Sequence, residues 1–405
     1  MVGIHKKMNL FGSSGIRDVV DGKLTPEFCL AVSKAIGSTL PPTAQVCIAT
    51  DARVSRDIIK SAVSTGLMHC GINVVDFGIM PTPALALLTR EMGFDTGIMI
   101  TASHNPPEFN GLKLFSGNSL GYSRQQEQQI ENIYFSNQFR SAGWRNVGSL
   151  SVATGVQDEY FKFIRRKLPV GNGKHLKVVV DPGNGAASGF ASGFLRDLGY
   201  DVLPINDEPD GMFPNRSSEP SAESLVKTIE YLREKNADIA VCYDGDADRV
   251  VFCDKDGFIG YNEMISFISR IVLKKSTCKK VATTVETGRL LDLALADMGG
   301  EIIRGRVGDV NVAHLMKEHD AAIGVEQVGV YIIPQLGYYP DSMYTSALLL
   351  SEIATASEIR ETCSKWPELY FGKSKIACAN SAKQRVMESM TQSYQVPAVK
   401  ETNTL

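Results

Sequence analysis

The chain has 405 residues, 43% of them apolar and 21% charged, with a formal net charge of −3 at pH 7. That length allows two to four domains, and the composition is that of a folded globular protein rather than a disordered chain. The near-balanced charge argues against a nucleic-acid or membrane-surface partner, and no run approaches the roughly 18 apolar residues of a membrane span. The opening Met1–Lys7 has no apolar stretch, so no signal peptide is expected. Eight cysteines lie scattered without a C-x-x-C pair, so we expect no zinc site or disulfide framework but buried free thiols in a reducing cytoplasm.

In chain order, the first feature is the turn Phe11-Gly12-Ser13-Ser14-Gly15-Ile16-Arg17. Its backbone N–H groups and the Arg17 guanidinium suit phosphate oxygens, although the spacing alone equally describes a plain glycine-rich turn. Next comes a unit that repeats three times: strand, loop, helix, glycine, strand. The copies begin at Gln45–Thr50, Leu176–Asp181 and Lys280–Val285, and the second strands follow Gly71, Gly199 and Gly299. Each copy continues into another helix and an apolar strand, at Gly97–Thr101, Asp238–Tyr243 and Asp320–Gly324. Strands with so little polar alternation predict mostly parallel sheets covered by helices on both faces, with functional loops at the strands' carboxyl ends. Residues 145–160 read as a linker. The tail suggests a strand at Ser374–Cys378 and a helix at Ala382–Gln392, too little to bury a core of its own. The expected domains are therefore 1–150, 151–254 and 255–370, with 371–405 opening a fourth that is not completed.

Chemistry concentrates at the carboxyl ends of the third strands. After Gly97–Thr101 comes a turn-rich loop holding Ser103, His104 and Asn105 and running on through Asn110 to Lys113. Ser103 there is a candidate phosphoryl acceptor or nucleophile, with His104 and Lys113 available for proton transfer or phosphate charge. The bland alternative is that Ser103 and Asn105 only close turn hydrogen bonds. No G-x-S-x-G elbow surrounds Ser103, which counts against a serine hydrolase. After the second module's third strand come Asp244, Asp246 and Asp248, followed by Arg249. In curled backbone three such carboxylates can converge on a hard cation such as Mg²⁺ and leave its octahedron open to a phosphate, the bland alternative being a solvated acidic turn. An EF-hand is excluded, since Arg249 and Lys255 occupy the positions of its glycine and its last glutamate. After the third module's strand come Glu326, Gln327 and Gly329, where Glu326 is either a sugar-hydroxyl acceptor or an exposed loop glutamate.

These stretches together resemble the α-D-phosphohexomutase superfamily of phosphoglucomutases, phosphomannomutases and phosphoglucosamine mutases. The motifs fall in family order and cover the chain to about residue 370. The resemblance implies three related α/β/α modules with mostly parallel mixed sheets around a central cleft, plus an incomplete fourth domain. It implies a phosphosugar mutase that moves a phosphoryl group between the 1- and 6-positions of a hexose phosphate through a bisphosphate intermediate. Ser103 would be the phosphoserine and a metal ligand, and Asp244, Asp246 and Asp248 would hold one Mg²⁺. Arg17 and Arg249 would contact the phosphoryl group, Lys113 and His104 would serve proton transfer, and Ser14, Asn105, Glu326, Gln327 and Gly329 would contact substrate. The sequence departs from the family in carrying Val325 and Val328 where a glycine and a serine are usual, and Asp309 where some members have histidine. An R-x-S-G-T-E-P phosphate loop is also missing from these 405 residues. The resulting expectation is impaired turnover, with a mutase-like binding or regulatory protein, or a weak phosphatase, as the alternative. Neither the sugar nor a monomeric or homodimeric state follows from the sequence.

Overall fold

Strands that are buried on both faces must be covered by helices, and the repeated unit supplies them at every crossover. The computed structural model describes residues 9–12, 14–169, 175–370, 372, 378 and 380–393. The first sheet holds β1 (Ile16–Val19), β2 (Gln45–Thr50), β3 (Asn73–Ile79), β4 (Thr96–Ile100), β5 (Phe109–Ser116) and β6 (Leu150–Val152), in the order β1-β5-β4-β2-β3-β6. The second holds β7 (Lys177–Asp181), β8 (Asp201–Pro204), β9 (Ile239–Tyr243), β10 (Val250–Asp254) and β11 (Gly257–Phe258), in the order β11-β10-β9-β7-β8. The third runs β13 (Glu301–Gly305), β12 (Lys280–Thr284), β14 (Ile323–Glu326), β15 (Val330–Ile332).

One arrangement recurs in all three sheets. The module's first strand lies between its second and third, in parallel, and a fourth strand returns antiparallel beside the third. The returning strands β5, β10 and β15 are the main departure from the sequence reading, which ran the serine loop on to Lys113. Asn110 to Lys113 instead lie in β5, where Leu112 pairs with Ile100 and Lys113 with Met99. Arg17 likewise sits on β1 opposite Gly111 rather than in a loop. The stretch 145–160 is only partly linker. Leu150–Val152 joins the sheet edge against β3, and the helix Val156–Arg165 begins inside it.

The modules share one apolar core. Its largest cluster runs from Phe77, Met99 and Phe115 through Val178, Phe190 and Val241 to Ile323, Tyr331 and Leu349. The Tyr160 hydroxyl donates to both carboxylate oxygens of buried Asp341 (2.8 and 3.0 Å), tying the second module to the third. Asp341 in turn caps the helix Ser342–Glu352 by accepting from Tyr344 N. Of the eight free cysteines, five are buried, Cys278 and Cys363 are half-buried and Cys378 is exposed.

Described residues up to Pro367 form one compact unit, and those from Glu368 a second. The second contains the helix Asn380–Ser393, matching the expected tail helix. The strand expected at Ser374–Cys378 lies outside the described residues, save Cys378. Among the described residues no helix is long and apolar enough to cross a membrane.

Candidate active site

Because the three modules share one strand order, their third-to-fourth strand loops occupy equivalent places. These are residues 101–108, 244–249 and 327–329, the three segments singled out by sequence. Ser103 is 1% exposed and has φ +53°, a left-handed conformation that a non-glycine residue holds only when its surroundings impose it. Its N–H donates to Thr101 Oγ1 (2.8 Å), and Ser103 Oγ donates to Asp244 Oδ2 (2.9 Å) across the module boundary. Ser218 Oγ donates to the carbonyls of His104 and Asn105 (2.8 and 3.0 Å), so the second module also clasps this loop.

The aspartate loop lies beneath it. One ligand atom from each of Asp244, Asp246 and Asp248 falls within 4.8 Å of the others, and all three residues are buried. Asp246 is tied to the first module, its Oδ2 accepting from Thr82 Oγ1 (2.5 Å) and its carbonyl from Thr82 N (2.9 Å). Lys113, reaching from β5, donates to Asp246 Oδ2 (2.7 Å), Asp248 Oδ2 (2.5 Å) and the Tyr339 hydroxyl (3.2 Å). Burial disfavours the Lys113 ammonium, but Asp246 and Asp248 outweigh it and hold its pKa above the ordinary value. Burial likewise pushes the Asp246 carboxyl up, and the Lys113 charge more than reverses it, leaving it below the usual carboxylate range. Asp244 is pushed well up by burial and by repulsion from Asp248 and Asp246. Asp246 Oδ1 and Asp248 Oδ1 are buried without a hydrogen-bond partner, so the loop offers unsatisfied hard oxygens beside a carboxylate that is costly to ionise. This donor set fits a divalent cation of the Mg²⁺ type.

Cationic groups rim the serine. Arg249 N donates to Asp244 Oδ1 (3.0 Å) and its Nη1 to Glu219 Oε1 (2.9 Å). Burial lowers the Arg249 pKa, but Asp244 and Glu219 outweigh it and keep the guanidinium charged. Arg17 Nη1 reaches Asn105 Oδ1 (3.5 Å), while its Nε is buried without a partner. His104 Nδ1 lies 3.3 Å from Ser103 Oγ. Burial, then the charges of Arg249 and Arg17, push His104 down to about 3, so at neutral pH its ring is uncharged.

Before the third loop, β14 ends in Glu326, which is 7% exposed and accepts from Gly308 N (2.8 Å), so it is not an exposed loop glutamate. Burial and the nearby Asp309 raise it to about 7. Gln327 is half-buried. Gly329, at φ +82°, brings its loop so close to β10 that a Cβ there would lie 2.5 Å from the Val250 carbonyl oxygen. Ser14 lies half-buried in its turn. The neighbouring Gly15, at φ +81°, packs so that a Cβ would lie 2.2 Å from the Leu112 oxygen, which leads the chain directly into β1 and Arg17.

The structure thus brings Ser103, His104, Lys113, Arg17, Asn105 and the Asp244–Arg249 loop together. Sequence reasoning did not assign Arg53, Asp51, Thr82, Ser218, Glu219 or Tyr339 to the site. A signal for Asp51 existed: aligning the repeats places it and Asp181 at the carboxyl end of each first strand.

Family models for phosphoglucomutase/phosphomannomutase α/β/α domains I, II and III match residues 8–141, 158–257 and 261–370. A probable phosphoglucosamine mutase of Thermococcus kodakarensis is 40% identical over 379 residues, 93% of this chain and 83% of that protein. One of Pyrococcus abyssi is 39% identical over 381 residues, again 83% of its length and 94% of this chain. Among solved structures, a phosphoglucomutase/phosphomannomutase family protein of Burkholderia thailandensis superposes with a TM-score of 0.79 at 28% identity, covering 89% of this chain and 80% of that one. A Thermus thermophilus putative phosphomannomutase also gives 0.79, at 26% identity, covering 88% of this chain and 82% of that one.

Proposed function

The chain belongs to the phosphoglucomutase/phosphomannomutase family of isomerases, and from that premise we propose that it interconverts the 1- and 6-phosphates of a hexose, glucosamine phosphate foremost, through phosphoserine at Ser103. The choice of sugar follows the relatives named probable phosphoglucosamine mutase. The observation that carries the reading is Ser103 Oγ, 2.9 Å from Asp244 Oδ2 and ringed by Arg17, Arg249 and the neutral His104.

In the first half-reaction a sugar hydroxyl attacks the phosphorus of phosphoserine, its proton passes to a neighbouring base, and the P–Oγ bond breaks. Ser103 Oγ departs with the bond electrons and is protonated. The resulting sugar bisphosphate reorients within the cleft, and Ser103 Oγ then attacks its other phosphate and releases the product monophosphate. His104, uncharged and 3.3 Å from Ser103 Oγ, orients the serine oxygen, while a phosphate oxygen of the substrate takes up and returns the serine proton. Lys113 remains an ammonium against Asp246 and Asp248 and supplies positive charge and a proton donor. Arg17 and Arg249 spread the charge of a loose phosphoryl transition state, and the unpartnered Arg17 Nε is a donor free to do so. Mg²⁺, held by Asp244, Asp246 and Asp248 with the Ser103 oxygen close by, would supply Lewis-acid stabilisation of the transferred phosphoryl group. Glu326 is placed to accept from sugar hydroxyls. The free thiols fit work in the reducing cytoplasm.

The test is 1-phosphate to 6-phosphate interconversion with Mg²⁺ for glucosamine, mannose and glucose substrates, primed with the matching bisphosphate. Activity is expected to be greatest with glucosamine phosphate and abolished in Ser103→Ala. Undiminished turnover by Ser103→Ala would sink the phosphoserine reading, and a preference for mannose or glucose would overturn the sugar assignment alone.

A further inference from the structure

Two buried Asp–Arg pairs stand outside the chemistry described above, and their donors correspond closely, except that Asp181 Oδ1 also accepts from Asn206 Nδ2 (3.1 Å). Asp51, just after β2, accepts Arg53 N on Oδ1 (3.0 Å), and Arg53 Nε and Thr101 Oγ1 on Oδ2 (3.0 and 2.6 Å). Asp181, ending β7, accepts Gly183 N on Oδ1 (2.8 Å), and Arg216 Nε and Thr228 Oγ1 on Oδ2 (3.0 and 2.5 Å). Both aspartates are fully buried, and the arginines are 0% and 7% exposed. The arginines come from different places in their modules, one two residues after its aspartate and the other thirty-five. The same donor set has therefore been assembled from different chain segments, which points to a shared task rather than an inherited accident of sequence.

The task is visible at the other end of each guanidinium. Arg53 donates to the carbonyls of Ser103 (2.9 Å), Asn105 (2.6 Å), Phe109 (2.9 Å) and Pro106, bracketing the serine loop from Ser103 to the start of β5. Arg216 donates to the Tyr243 carbonyl (2.6 Å), the peptide that leads into Asp244, and to the Asp181 and Ser217 carbonyls. Ser217 precedes Ser218, whose hydroxyl clasps His104 and Asn105 from the other side. The third module has no such pair among its described residues: Thr284 stands at the register position of Asp181, with its hydroxyl 3.5 Å from that of Thr287. The ion pairs thus occur in the two modules whose loops carry the serine and the aspartates.

We propose that Asp51–Arg53 and Asp181–Arg216 are positioning braces with separate duties. The first holds Ser103 in its left-handed conformation with Oγ aimed for phosphoryl transfer, and the second sets the Asp244–Asp248 loop for the divalent cation. This rests on the phosphoserine reading given above. A planar fork reaches several carbonyls at once, which a lysine ammonium on a flexible stem does not do. A displacement of about 1 Å at a reacting atom costs on the order of 100-fold in rate, and loss of an outer-shell partner costs about 10- to 100-fold in metal affinity.

The experiment compares Arg53→Lys and Arg216→Lys in the full chain, with the charge-neutral pairs Asp51→Asn/Arg53→Met and Asp181→Asn/Arg216→Met in reserve if a lysine variant does not fold. Single-turnover phosphorylation of Ser103 by hexose 1,6-bisphosphate is followed by intact mass, Mn²⁺ affinity by electron paramagnetic resonance, and KM for the sugar phosphate by steady state. Arg53→Lys is expected to slow serine phosphorylation about 100-fold while Mn²⁺ affinity and KM stay within about twofold. Arg216→Lys is expected to weaken Mn²⁺ about 10-fold or more, with phosphorylation recovering at saturating cation. Equal losses of both readouts in both variants, or wild-type values in either, would overturn the proposal. Ser103→Ala runs alongside: if it retains turnover the phosphoserine reading falls, whereas an inert Ser103→Ala beside a fully active Arg53→Lys defeats only the braces.

Discussion

Replacing Lys113 with methionine removes one charge from the centre of the site and little volume. Lys113 is 3% exposed, its ammonium lies 2.7 Å from Asp246 Oδ2 and 2.5 Å from Asp248 Oδ2, and no other cation of the described residues bonds those two oxygens. Breaking a buried pair by removing one partner costs about 3–5 kcal/mol; the low end applies here, because Asp248 keeps Arg249 at 4.0 Å and the Tyr339 hydroxyl, and Asp246 keeps Thr82. At an unfolding entropy of about 2.1 cal/mol/K per residue, a cooperative unit of about 360 residues moves by about 1.3 °C per kcal/mol, so the melting midpoint should fall by roughly 4–7 °C in chelator, toward the lower figure. Methionine keeps the stem's packing beside Tyr339, so the loss is electrostatic. A divalent cation on the same carboxylates supplies the missing charge, and Lys113 opposes its binding in the wild type. Mg²⁺ should therefore raise the midpoint of Lys113→Met by more than it raises that of the wild type, since a ligand at 100 times its Kd contributes about 2.7 kcal/mol. The assay is thermal unfolding by near-ultraviolet circular dichroism in EDTA and in excess Mg²⁺. A variant within about 2 °C of wild type in EDTA, or equal Mg²⁺ gains in the two proteins, would refute the reasoning.

Glu326 gives a pH test. Its folded pKa, raised to about 7, exceeds the unfolded value, so its stabilising contribution is complete below about 4.5 and lost as pH rises through about 7. Glu326→Gln should thus gain on wild type by on the order of 2–3 kcal/mol between pH 5 and pH 8, read as diverging denaturation midpoints. Parallel curves would show that the carboxyl is ordinary. Tyr160→Phe leaves the Asp341 carboxylate without its side-chain donor and should cost about 1–3 kcal/mol in urea unfolding. Gly15→Ala forces a Cβ toward the Leu112 carbonyl at a positive φ, and should cost about 1–3 kcal/mol while raising KM for the sugar phosphate through displacement of Arg17. An unchanged KM would separate Arg17 from substrate.

Much of the site was legible without coordinates, for a physical reason. A parallel strand ending in an exposed-looking polar cluster is a local pattern, and its chemistry depends on residue type and short spacing. Ser103, the three aspartates and Arg249 were identified in this way. Glu326 was legible as a candidate but not as a buried one, because its burial comes from Gly308 and the strands around it. The antiparallel returns β5, β10 and β15 were missed since each begins directly after its motif, and β5 carries the motif residues Asn110 and Lys113 on the strand itself.

By itself the sequence determined the repeated module, the apolar strands that require helices on both faces, and the residue types held at each strand end. Tertiary structure alone decided which strand-end groups face one another. Ser103 meets Asp244 across 141 residues of chain, Lys113 meets Asp248 across 135, and Arg216 returns to Asp181 across 35. Periodicity and turn chemistry are set within a few residues, and so the sequence displays them. Pairing between charges depends on where three sheets with one strand order place their equivalent loops, and only the packed core fixes that.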